Sequence, residues 1–196
     1  MKIFNYMLVN IFLVFQMSFC FAKNTVNFSV APDLSTYCHQ YRIDAVITGN
    51  STLGVMPSYR CTDRPDRPSN GTMVINSQVT NTFNRLLVPW RYSPHGAFNN
   101  GYFLEAFAGV ENSEFRTGAG STADVKFFDT GVWLGYQWFW RNGLNISAVI
   151  GGSHLARVSL DRNISPSENS SVSDYLDEQI STNTHVAGGV FFGWVF

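Results

Sequence analysis

Ser153 and His154 stand side by side, and Asp129, Ser159, Glu168 and His185 lie elsewhere in the chain. These are the residue types of a nucleophile, a base and an orienting acid, the chemistry that cleaves esters. Successive residues of an extended strand point to opposite faces, so Ser153 and His154 cannot hydrogen-bond as nucleophile and base. His154 with Ser159 and Glu168 has the right types at the wrong spacing. His185 lies near one end of the C-terminal strand and could approach Asp129 or Ser153, but a lone histidine at a strand rim is more often solvated than catalytic. The sequence therefore assigns no catalytic residue and leads us to expect no enzyme. Phosphate-, zinc- and calcium-binding motifs are absent, and no cofactor or metal is expected.

Residues 1–22 read as a signal peptide. Lys2 is the basic start, Met7 to Phe21 are mostly apolar, and Cys20-Phe21-Ala22 supplies a small-x-small cleavage site. Phe19, where a lipobox needs a small residue, argues against lipid attachment at Cys20. Residues 23–196 are expected to form one domain. An even cysteine pair in an exported chain, Cys38 and Cys61, is expected to form one disulfide, two free or metal-binding thiols being the alternative. The net charge of −1 argues against a nucleic-acid partner.

Chemistry of any kind needs elements to hold it, and here the pattern is period-2 alternation. In Thr182–Phe196, Val190, Phe192, Trp194 and Phe196 share one face. Strands are expected at 26–34, 41–48, 52–60, 79–92, 101–111, 125–140, 144–158 and 182–196. A bulge is expected at Gly151-Gly152 and a three-residue hairpin loop at 49–51. Connections 49–51, 93–100 and 141–143 are short, whereas 61–78, 112–124 and 159–181 are long.

The terminal strand, ending in Phe after alternating aromatics, resembles the closing strand of bacterial outer-membrane β-barrels. The stretch G-V-W-L-G-Y-Q-W-F-W-R-N-G-L (131–144) is similar to an uncharacterised family of such barrels, and the whole chain resembles small proteins of the OmpA/OmpX type. The resemblance implies an all-β, eight-stranded antiparallel transmembrane barrel in the Gram-negative outer membrane, with short periplasmic turns and longer extracellular loops. It also implies that Phe192, Trp194 and Phe196 form the signal read by the outer-membrane assembly machinery.

Lipid inverts the usual faces. The apolar set must then point outward, with Trp90, Tyr92, Trp138, Trp140 and Trp194 as an interfacial girdle beside the short turns. Arg42, Asp44, Arg85, Glu105, Asp129, Gln137 and Asn145 must fill an interior only wide enough for side chains. Arg85 and Glu105, on neighbouring strands, are the expected internal ion pair. A filled interior leaves no open pore. The expected role is structural or surface-interactive, with lipid and lipopolysaccharide around the wall and loops 61–78 and 159–181 toward a host or other partner. A lipid-modifying hydrolase or acyltransferase using a rim His/Ser, and a periplasmic β-sandwich, are the alternatives.

Overall fold

The computed structural model describes residues 25–33, 38–63, 80–167, 174, 177, 180–181 and 183–196. The expected leader, Glu168, most of loops 61–78 and 159–181, and the Cys38 and Cys61 side chains with their expected disulfide lie outside the described residues.

Eight strands follow one another: β1 (Val26–Asp33), β2 (Cys38–Thr48), β3 (Ser51–Asp63), β4 (Thr80–Tyr92), β5 (Gly101–Arg116), β6 (Thr122–Phe139), β7 (Leu144–Asn163) and β8 (Asn183–Val195). Each pairs antiparallel with the next, and β8 pairs back onto β1, so the sheet closes into a ring. The alternation that suggested strands also sorts their faces. In β5, Phe103, Glu105, Phe107, Glu111, Ser113 and Phe115 are buried, while Tyr102, Leu104, Ala106, Ala108 and Val110 are exposed. On β5 the outer face from Tyr102 to Val110 is apolar, while the inner face mixes charged residues with phenylalanines.

Several local expectations are corrected. The connection expected at 112–124 is mostly strand: β5 runs to Arg116, β6 starts at Thr122, and Thr117 N–H donates to the Ser121 carbonyl across a tight turn. β3 and β7 likewise extend into the loops expected at 61–78 and 159–181. The β2–β3 hairpin has a two-residue loop, because Thr48 pairs with Ser51. Such a loop alone would put the apolar sets of β2 and β3 on opposite faces. A register shift between Val46 and Thr48 restores parity, so that Ala45 meets Leu53 and Ile43 meets Val55. No bulge falls at Gly151-Gly152; the β6–β7 ladder slips instead between Lys126 and Phe127.

The glycines of β5, β6 and β7 answer to space rather than to turns. Four large inner residues have a glycine directly opposite: Leu87 meets Gly109, Phe103 meets Gly135, Phe107 meets Gly131 and Trp133 meets Gly151. A Cβ on Gly135 would stand 2.2 Å from Phe103 Cζ and 2.7 Å from the Ala148 carbonyl oxygen. Overpacking of this kind costs about 1–3 kcal/mol. Gly135→Ala is therefore expected to lower the unfolding free energy by that much and the urea midpoint with it. Gly49→Ala, where a Cβ would meet nothing within 4 Å, should leave the midpoint in place. Equal midpoints for the two variants would contradict a tightly filled interior.

Candidate functional site

The interior is layered. Near the 93–100 and 140–143 turns lies a polar compartment. Arg42 Nε donates to Asp44 Oδ2 at 2.7 Å and its Nη1 to Glu105 Oε1 at 2.8 Å. Arg91 Nε donates to Glu105 Oε2 at 2.9 Å and its Nη1 to Gln137 Oε1 at 3.0 Å. Asn145 Nδ2 donates to Asn27 Oδ1 at 2.8 Å. Two cations face two anions, so the compartment is neutral, which is the condition for keeping charges out of water. Aromatic faces lie beside the guanidiniums: Arg91 is 3.7 Å from the Phe103 ring centroid and Arg42 5.9 Å from that of Phe191.

The turn at 93–100 closes this end. Ser93 and Ala97 are buried, and Gln137 Nε2 donates to the carbonyl oxygens of Ala97 and Asn99 at 3.1 and 2.8 Å. Beyond the compartment sits an apolar layer that includes Met56, Leu87, Phe107, Trp133 and Phe191. Phe107 and Trp133 stack with ring centroids 4.7 Å apart.

A second polar group follows. Arg85 Nη2 lies 2.7 Å from Glu111 Oε2, Arg85 Nε lies 3.7 Å from Asp129 Oδ2, and Ser113 Oγ donates to Glu111 Oε1 at 2.7 Å. The expected Arg85–Glu105 pair is thus replaced by two others, since register sets Arg85 opposite Glu111 and Arg91 opposite Glu105. Above this group, Phe115, Val125, Phe127 and Ile180 form a second apolar cluster, with Leu155 packed against it.

No family model, curated protein or solved structure matches this chain. Function must be read from its own surfaces and interior.

Of the residues singled out from sequence, Arg42, Asp44, Glu105, Gln137 and Asn145 share the lower compartment, and Arg85 and Asp129 the upper group. Arg91, on the polar face of β4, joins the lower compartment beside them. Trp90, Tyr92, Trp138, Trp140 and Trp194 are all exposed at the short-turn end. Tyr102 and Tyr136 join them there, with ring centroids 4.9 Å apart, and Tyr136 lies 4.7 Å from Trp138. Phe192 and Trp194 face outward on β8, and Phe196 N–H donates to the Val26 carbonyl at 2.8 Å. Ser153 and His154 do face opposite ways. His154 Nδ1 lies 3.1 Å from Thr184 Oγ1 on the outside, while Ser153 shares the inner face of Val149.

Proposed function

We propose that this chain is an integral outer-membrane β-barrel of the OmpA/OmpX type, a structural or surface-interaction protein without an open pore. The observation that carries the reading is the outer face. On β6 it runs Phe128, Thr130, Val132, Leu134, Tyr136 and Trp138, and on β5 from Tyr102 to Val110. About ten residue steps of roughly 3.3 Å, tilted by about 40°, span about 25 Å along the axis, the height of a lipid-facing band. A contiguous apolar belt of this size is foreign to a monomer bathed in water.

The belt has edges. Its lower rim is the aromatic group around Trp138 and Trp194, and above it the outer face turns polar at Asn112, Glu114 and Arg116 on β5 and at Lys126 and Asp124 on β6. β5, β6 and β7 continue past the belt as a charged extension, which suits contact with lipopolysaccharide or a partner outside the cell. The layered interior supports the absence of a pore, and a single sheet closed on itself argues against a two-sheet sandwich.

The test is gel mobility of the outer-membrane fraction, unheated and boiled in SDS, with and without reductant. A closed barrel that resists SDS is expected to migrate differently until boiled, and an intact Cys38–Cys61 bond would add a reductant-dependent shift. Recovery of the protein in the periplasmic fraction, with one mobility before and after boiling, would overturn the membrane reading.

A further inference from the structure

The lower charged compartment is balanced, but the upper one is not. Among the described residues Glu111 and Asp129 share one paired cation, Arg85, and Asp129 Oδ1 is buried without a hydrogen-bond partner. On β8, His185 lies on the inner face that Phe191 also occupies. Directly opposite His185 in the β7–β8 ladder is Ser153, which in turn faces Gly131 on β6, two residues from Asp129. Cross-strand partners hold their Cβ atoms about 4.5–5.5 Å apart, within which a serine hydroxyl and an imidazole nitrogen can meet.

We infer that Ser153, His185 and Asp129 form a serine-esterase centre in the upper interior, cleaving the carboxylic ester of an amphiphile. The acid is buried with an oxygen to spare for an imidazole N–H. The base is exposed and the nucleophile half-buried, so a substrate can reach them. This is the order of burial that a nucleophile, base and orienter require. One further unpartnered group fits the same chemistry. The indole edge of Trp133 lies against Gly151, two residues before Ser153 on the inner face, and its buried Nε1–H has no acceptor. It is a donor for the oxyanion that forms when the ester carbonyl is attacked.

The step balances without a co-reactant other than water. Ser153 Oγ bonds to the ester carbonyl carbon as its proton passes to one ring nitrogen of His185. Collapse of the tetrahedral intermediate breaks the bond to the alcohol oxygen, which leaves with that proton. Water, activated by the same imidazole, then releases the carboxylic acid and restores Ser153. The buried carboxylate of Asp129 steadies the imidazolium in both halves.

The outer surface beside His185 is apolar, with Val186 85% and Ile150 63% exposed. The amphiphilic nature of the substrate rests on the membrane reading above; the ester chemistry does not.

The test uses the full chain folded in detergent micelles, an alkyl fluorophosphonate as covalent probe and p-nitrophenyl butyrate as a short soluble ester. Labelling should map to Ser153, vanish in Ser153→Ala and slow by about a hundredfold or more in His185→Ala. Asp129→Asn should slow it and change the pH profile, a response that a purely structural role would not give. Should His185→Ala lose the gel shift on boiling, His185→Gln replaces it. A protein that shows the gel shift yet is not labelled, is labelled at another serine, or is labelled equally without His185 overturns the esterase centre alone. Loss of the shift in the parent chain with labelling retained would overturn only the membrane reading.

Discussion

Glu105→Gln should cost about 3–5 kcal/mol of folding stability, the range for removing one partner of a buried charge group. Glu105 is fully buried and receives both Arg42 and Arg91, its two carboxylate oxygens divided between them. The amide keeps the shape but not the charge. Two guanidiniums would then share one carboxylate, Asp44, in a compartment sealed below by the 93–100 turn and above by the aromatic layer. The sign of a second substitution makes the test specific. Adding Arg91→Met to Glu105→Gln removes the surplus cation and leaves Arg42 with Asp44, so the double variant should be more stable than Glu105→Gln alone. Urea titration in micelles, followed by loss of the compact gel species, measures both. If Glu105→Gln falls within about 0.5 kcal/mol of the parent, as surface substitutions do, the compartment is not dry. If the double variant is the sum of two losses, charge balance is not what holds it together.

Why Arg85 and Glu105 were mispaired shows what a sequence can carry. Period 2 fixes which face a residue occupies, so the inner set was legible down to Asn145. It does not fix the slide of one strand along the next. The 93–100 connection suggested that Tyr92 would lie near Gly101, but Tyr92 pairs with Leu104. The first residues of β5, Gly101 to Phe103, pair only with β6, opposite Gln137 to Gly135. That offset of three moves the residue opposite Arg85 from Ala108 to Glu111, and Glu105 faces Arg91 instead. It arises because the turn folds inward, with Ser93 and Ala97 buried under Gln137, and no local pattern announces it. The same limit applies to Ser153 and His185: the sequence allows His185 to approach Ser153 or Asp129, and the β7–β8 register sets it directly opposite Ser153. The 112–124 segment misled for another reason. Glu114, Arg116, Asp124 and Lys126 are polar enough for a loop, yet they alternate with buried Ser113, Phe115, Ala123 and Val125, and alternation outranks polarity in a strand that leaves the belt.

Val132→Arg separates a lipid-facing wall from a wet one by sign and size. Val132 stands on the outside of β6, 51% exposed, with Ala106 and Gly152 as its ladder partners and Phe128 and Trp138 toward either edge of the belt. In water an exposed valine can become arginine with a change inside about 0.5 kcal/mol, since no contact is lost and the charge is hydrated. At the middle of a bilayer the same substitution costs about 2–4 kcal/mol, falling toward zero at the interfaces. Asn112→Arg, on the outer face of β5 beyond the end of the belt, is the matched control and should be neutral in either case. The two variants are to be folded into lipid vesicles and titrated with urea, with the gel shift on boiling as the readout of the inserted form. The expected result is a loss of about 2–4 kcal/mol for Val132→Arg with Asn112→Arg unchanged. Two unchanged variants would mean that water covers Val132, and the apolar belt would then need a protein partner to bury it. A loss at both positions would put the upper edge of the hydrocarbon beyond Asn112, leaving the Glu114–Arg116 pair as the first side chains clear of lipid on β5.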